Sequence, residues 1–413
     1  MIGSRAWKLR WAAGGIALLL SALTALVNYR FAQISPGGND FMAHYTAWEA
    51  YLEHGINPYS DEAALYTQQR IYGRPAKPTE DQNRLTYPFF SIAIHGPFVL
   101  INSYTWARAF YMTLLQVALI AGVLLTVRTI GWRLPFGLLA VMLVWVLLDY
   151  PQARGIILGQ FAIFGFLSVA AALYLLRRGH NGWAGVVLVL ATVKPTLVFL
   201  VIPFFMIWAV WRRRWRFVMG FGAMLMTAML ISWLILPTWL TDWQNNVERY
   251  SDYTVGQSPV WLLTHAALPG LGQTGETIIA ALLIGAMLIA WWLAFKLSGD
   301  DRLPWALGVT LVVSDLIVSR SATTNYALLL LPTFWLFAQI DRARRWGRAV
   351  VVGYMLLTVV GLWSLHAATV VGNQEQPIMF VPTPVMVGLA LLVISIRSTS
   401  GSDRRPADDC QSS

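Results

Sequence analysis

Long apolar runs, separated by short polar or arginine-rich pieces, recur along almost the whole chain. A helix that crosses a bilayer needs about 20 mostly apolar residues, and in lipid it must satisfy every backbone N–H and C=O within itself. A chain of this pattern therefore folds as an all-α polytopic membrane protein. The charge content agrees: 12% of the 413 residues are charged and 57% are apolar or aromatic, whereas a soluble domain carries roughly 25% charged residues. A water-soluble globule is excluded. Read in order, the runs predict spans near residues 11–29, 105–127, 134–148, 157–176, 183–193, 196–211, 217–236, 276–296, 303–319, 323–340, 347–370 and 380–397. That gives a bundle of about 12 transmembrane helices. The pair that meets at Lys194-Pro195 is short enough to be two stubby helices or an incomplete hairpin.

Orientation follows from the basic residues, because Arg and Lys in short loops favour the cytoplasmic side. Twenty of the thirty fall in seven clusters: Arg5 to Arg10, Arg128 and Arg133, Arg177 and Arg178, Arg212 to Arg216, Lys296 and Arg302, Arg342 to Arg348, and Arg397 to Arg405. All seven lie on one side if residues 88–101 do not cross, so this stretch, short for a span, is expected to be re-entrant or interfacial. Both termini are then cytoplasmic. The net charge of +10 reflects insertion and contact with anionic lipid, with no nucleic acid required. The first run reads as a retained anchor; as a cleaved leader it would leave the following loop untethered. One transmembrane domain over residues 1–397 and a disordered cytoplasmic tail over 398–413 complete the plan.

Two segments are unlike membrane sequence. The first outer loop, residues 30–87, holds seven of the twenty acids, and the second, about 237–275, is rich in Asn, Asp, Tyr and Trp. Both fall on the outer face, which suggests a site built there over a bundle that holds something in lipid. The single cysteine, Cys410, excludes an intrachain disulfide and a thiolate cluster. P-loop, GxGxxG, HExxH and CxxC patterns are all missing, so no metal and no cofactor is called for.

Within the first loop, Gly37-Gly38 permits a turn just before Asp40, and Phe41, Tyr45, Trp48 and Leu52 then recur at helical spacing. Asp40 thus starts an amphipathic helix expected to lie along the membrane surface. It is either an N-cap or a functional carboxylate. His44, four residues on, shares its face. Lys194 stands between two apolar stretches, where an unpaired charge is costly, and Arg154 and Arg320 lie at outer ends of spans against the charge rule. Three such cations fit an anionic headgroup or phosphate. Alternatively, Arg154 and Arg320 snorkel or pair with Asp149 and Asp315. His265 in the second loop reads as structural, though it is kept among the candidates.

In these residues the chain resembles the membrane mannosyltransferases of glycosyltransferase family 87. The resemblance rests on Asp40, Phe41 and Tyr45; on Gly55 and Pro58-Tyr59; on Thr86 to Phe90; on Gly159-Gln160-Phe161; on Gly185 to Lys194-Pro195 with Arg212 to Trp215; and on Val318 to Pro332. It implies a GT-C type bundle with its active site in two outer-face loops and Asp40 as general base. It also implies an inverting transfer of a hexose, mannose in the family's pattern, from a polyprenyl-phosphate-linked donor. The chain departs from that pattern at Arg320, where a Pro is usual in a segment that also lacks its His, and at Phe89, where a second Pro is usual. On this reading Lys194, Arg320 and Arg154 bind the donor phosphate, and His44, Tyr45, Tyr87, Gln160 and His265 are candidate contacts to sugar or acceptor.

The resulting expectation is a multi-pass glycosyltransferase of the bacterial inner membrane, moving a hexose to an envelope lipid or glycan acceptor on the periplasmic face. The alternatives are a lipid or solute transporter or flippase with Lys194, Asp315 and Arg320 along its path, and a non-catalytic partner in an envelope complex. The gathering of polar sequence into two loops on one face, and the lack of an inverted repeat, favour the enzyme.

Overall fold

The computed structural model describes residues 2–400 apart from 36, 79, 254–256, 298–301, 344 and 373. Most of the predicted tail therefore lies outside the described residues, and Ser398 to Ser400 continue the last helix. Among the described residues there are helices and one isolated bridge, Val371 to Gln374, with no strand.

The chain opens with α1 (Ile2–Ile34), a longer helix than its apolar run required. Its second half is fastened inside the bundle, where Asn28 Nδ2 donates to Thr113 Oγ1 at 2.9 Å and to Gln116 Oε1 at 2.8 Å. Then come α2 (Asn39–His54), α3 (Asp61–Tyr72) and, after a loop, α4 (Ile92–Val99) behind a 3-10 turn at Phe89–Ser91. The apolar helix Phe89–Val99 is too short to span, consistent with a segment that does not cross. The next helix, α5 (Tyr104–Thr129), is the central one: over half of its apolar window is buried, against 11% for the peripheral helix Trp215–Ile235.

Beyond α5 the apolar runs are broken rather than continuous. The helices α6 (Phe136–Leu148) and α7 (Tyr150–Leu158) meet at a 55° bend, and α8 (Ala162–Arg177) follows the turn at Gly159-Gln160. After α9 (Asn181–Leu188) and a 3-10 turn, the chain breaks at Lys194 and resumes as α10 (Pro195–Val198) and α11 (Val201–Trp211). The remaining helices are α12 (Trp215–Ile235), α13 (Trp239–Tyr253), α14 (Pro259–Trp261), α15 (Gly272–Leu297), α16 (Leu303–Ile317), α17 (Leu330–Ala343), α18 (Gly347–Thr369) and α19 (Pro382–Ser400). A 3-10 stretch, Thr323–Leu329, leads into α17.

Six of the described helices are long and apolar enough to cross a membrane, and the bent pair α6–α7 makes a seventh. Twelve apolar runs do not become twelve full-length spans, because several form only short helices: α9 passes into a 3-10 turn that breaks at Lys194-Pro195, and α11 holds 11 residues. Glycine does allow close packing: a Cβ at Gly185 would lie 2.2 Å from Phe217 O, and one at Gly220 2.2 Å from Gly182 O. Others, such as Gly222 and Gly285, face open space, so only part of the glycine set serves close packing.

The two ends of the bundle differ. At one end Arg342 Nη2 donates to Ile130 O and Gly131 O, Trp132 Nε1 donates to Asp341 Oδ2, and Arg214 Nη1 donates to Asn181 Oδ1, so four of the basic turns lie in two touching pairs. Exposed Trp183, Trp211, Trp215 and Trp346 sit beside them, as interfacial anchors do. At the other end of α5 the two polar segments dock together. Asn57 Nδ2 donates to Asp242 Oδ2 at 2.8 Å, Trp243 Nε1 to Thr86 O at 2.8 Å, and Arg84 and Arg249 both pair with Asp61. The first part of the second polar segment is thus the helix α13, lying over residues 84–86.

Candidate functional site

Asp40 is set by the turn before it. Gly38 caps α2 in the left-handed region (φ 73°), where Gly carries no steric cost, and no side chain caps the helix. The N-cap alternative for Asp40 is therefore removed: it is the second residue of the helix, with its carboxylate free for other partners. Beneath the turn, Tyr104 Oη donates to Gly37 O at 2.7 Å, and the buried Arg108 donates to Ser35 O at 2.6 Å and Ile157 O at 3.1 Å. The expected surface helix is corrected as well. Every residue from His44 to Ala50 is buried, because α2 is covered by its neighbours rather than lying on lipid.

Gln160 arrives from α7. That helix ends at Gly159 (φ 80°), whose capping turn directs Gln160 N to Gly155 O at 2.8 Å. A Cβ on Gly159 would lie 2.5 Å from Phe41 Cβ, so this glycine supplies both the turn and the close approach to α2. Gln160 Nε2 then donates to Asp40 Oδ2 at 2.5 Å.

Lys194 arrives from the break between α9 and α10. Proline disfavours a helical residue before it, and Lys194 is extended accordingly at φ −120°, ψ 85°. Its Nζ donates to Gln160 Oε1 at 2.7 Å and to Asn325 Oδ1 at 2.8 Å. The result is a connected row, Asp40–Gln160–Lys194–Asn325, drawn from four separate parts of the chain. Burial raises the Asp40 carboxyl above its ordinary value, and Lys194 and Gln160 oppose that rise. Asp40, Gln160 and Lys194 each keep partial exposure, so the row can meet solvent or a ligand.

The other candidates divide. His44 and Tyr87 lie beside the row, stacked at 4.1 Å, and His44 Nδ1 has no partner among the described residues. Burial, His95 and Lys194 hold His44 well below the usual imidazole range, so it is neutral. Tyr45 instead turns its hydroxyl to Ile101 O at 3.3 Å. Arg154 faces Glu375 at 4.0 Å, not Asp149, and Arg320 stacks over Tyr250 at 4.4 Å rather than pairing with Asp315. Asp315 Oδ2 is buried without a partner among the described residues. His265 lies flat on Trp261 at 5.0 Å, with Glu276 at 3.7 Å, and its recorded partners are all close to it in the chain.

Sequence reasoning missed Asn325, Glu375 and Arg108. Asn325 sits in an apolar-looking run, and Glu375, which binds both Thr323 N and Thr323 Oγ1, lies in a short loop fifty residues away. Arg108 carried a signal that was legible, a cation just inside the start of a span. Among the described residues, no group of three or more His, Cys, Asp or Glu is arranged to hold a metal ion.

The model of a known family, described as Glycosyltransferase family 87, matches residues 85–319, more than half of the chain. No curated protein matches, and no solved structure matches.

Proposed function

The chain belongs to glycosyltransferase family 87, and on that footing we propose that it transfers a hexose, mannose by preference, from a polyprenyl-phosphate-linked donor to an envelope lipid or glycan. The transfer takes place on the periplasmic face of the bacterial inner membrane, inside a GT-C type bundle. The observation that carries this reading is the row Asp40–Gln160–Lys194–Asn325, in which a carboxylate and an ammonium stand on either side of one amide.

The reaction is a single displacement. The acceptor hydroxyl oxygen forms a bond to the anomeric carbon as the bond from that carbon to the phosphate oxygen breaks. The bonding pair leaves with the phosphate, and the hydroxyl proton passes to Asp40. A positioned carboxylate suits the proton transfer, and a fixed cation suits the charge that grows on the phosphate. Lys194 is the first choice for that cation, being extended at a helix break with its ammonium in the row. Arg320 and Arg154 are further from this role because Tyr250 and Glu375 already engage them. His44, Tyr87 and Gln160 remain proposed contacts to sugar or acceptor. The transporter alternative has less support, since no described contact links Asp315 to Lys194 or Arg320.

The test is transfer of radiolabelled mannose from polyprenyl-phosphate-mannose to extracted envelope lipids by membranes carrying the wild type or Asp40→Asn. Transfer by wild type and its loss in the variant support the reading. Mass spectrometry of envelope glycolipids from a deletion strain identifies the acceptor, and an unchanged glycolipid profile counts against the enzyme.

A further inference from the structure

The orientation of the Gln160 amide is forced by chemistry. A lysine ammonium only donates hydrogen bonds and a carboxylate only accepts them, so the amide must give its NH2 to Asp40 and its oxygen to Lys194. Gln160 therefore reports the state of one neighbour to the other. We propose that Gln160 is a positioning residue that keeps Asp40 a weak base until a donor phosphate engages Lys194, and then releases it. This rests on the reading of Asp40 as base and Lys194 as phosphate ligand.

The argument is one of competition. In the empty site two N–H groups of Lys194 are committed to the neutral amide oxygens of Gln160 and Asn325. An anionic phosphate oxygen attracts the ammonium by charge as well as by hydrogen bonding, which a neutral amide oxygen cannot match, so it weakens the hold of Lys194 on Gln160. The phosphate also neutralises the nearest cation to Asp40. With its oxygen less tightly held, the amide is anchored at one end only, and its bond to Asp40 loosens. Both changes remove stabilisation of the carboxylate, so its affinity for the acceptor's proton rises when the donor is in place.

Other charged groups act on Asp40 without depending on Gln160. Arg154 from α7 is a cation and Asp81, from the loop after α3, an anion. Tyr87, Tyr104, Tyr111 and Tyr250 face it electrostatically, and phenols stay neutral below about pH 9. On the same helix His44 is neutral. These set the absolute position of the Asp40 titration; only Lys194 and Gln160 join it directly to the donor.

The experiment compares pH profiles of single-turnover transfer at saturating acceptor, with donor either saturating or far below saturation. In wild type, the acidic limb measured with saturating donor is expected about one pH unit above the limb measured with scarce donor. In Gln160→Met the scarce-donor limb should rise and the separation should shrink, because only the direct charge of Lys194 still links donor to Asp40. A side chain with a purely structural role would lower the rate at every pH and leave the separation intact. A separation in Gln160→Met as wide as in wild type overturns the role of Gln160. Coincident limbs in wild type overturn the coupling, and do so even if the variant fails to fold. Transfer retained by Asp40→Asn overturns the underlying reading instead.

Discussion

Gln160 Nε2 lies 2.5 Å from the Asp40 carboxylate across 120 residues of sequence, and this contact joins the end of one broken helix to the start of another. It exists because Gly159 lets α7 stop abruptly against Phe41, the neighbour of Asp40. The candidate site is therefore made where helices end, at the irregular points of the bundle.

Gly159→Ala tests that dependence. The new methyl would meet Phe41 at 2.5 Å in a backbone region that L residues rarely adopt, so the variant should lose roughly 1–3 kcal/mol and most of its transfer activity. Gly131→Ala is the matched control, with φ 62° but open space around the position. It should lose some stability and keep its activity. Thermal unfolding in detergent, paired with transfer assays, measures both; equal effects of the two variants would deny Gly159 its special place.

Arg108 should matter through backbone carbonyls. It is buried, and its guanidinium links Ser35 O to Ile157 O beneath the turn that sets Asp40. Arg108→Met leaves both carbonyls without that donor, at about 1–3 kcal/mol each where they stay buried. Arg108→Lys should recover only part, because a single ammonium does not reproduce the guanidinium's fork. Full recovery by Lys, read as unfolding temperature, would mean that charge rather than geometry is what counts.

The residues that were legible in the sequence are those whose local chemistry is out of place. Lys194 between apolar stretches and Asp40 after a double glycine were both visible for that reason, and the structure brings them to one amide. Asn325 was not visible, since a single amide in an apolar run has many structural uses. The helical class and the existence of two polar segments followed from composition; the contacts that dock them together did not. The number of full spans did not: hydropathy counts apolar runs, whereas Pro195 and Gly159 decide where a run stops being a helix.

Topology is open to direct labelling. The exposed positions Glu62 and Thr274 fall in the polar segments at the end of the bundle away from the basic turns. Cysteines placed there, in a Cys410→Ser background, should react with an impermeant maleimide in intact cells. Labelling that requires permeabilised membranes would reverse the orientation.

Lys194→Gln keeps the polarity and removes the charge. Loss of one charge-assisted bond to phosphate, about 1.5–3 kcal/mol, corresponds to a fall in kcat/KM for the lipid-linked donor of roughly 10- to 100-fold. The dependence on acceptor concentration should change much less. Unaltered donor kinetics would place the phosphate elsewhere, with Arg320 the next position to vary.

Asp40→Asn separates chemistry from architecture, because Asp40 makes no cap and its oxygen partner for Gln160 survives in the amide. If the carboxylate accepts the acceptor's proton, turnover should fall about 100-fold or more while the protein inserts and binds donor. Burial raises the Asp40 carboxyl, so the acidic limb of wild-type activity should lie above the ordinary range near pH 4. The sign for stability runs the opposite way to that for activity. A carboxyl raised in the folded state favours the protonated form, so its contribution to stability is complete below the unfolded pKa and is lost as pH rises through the folded one. Removing the ionisable group should therefore leave the protein at least as stable as wild type at neutral pH, with any advantage over wild type vanishing in acid. A variant that is stable, binds donor and does not turn over assigns the proton transfer to Asp40; one that turns over at the wild-type rate removes Asp40 from the reaction altogether.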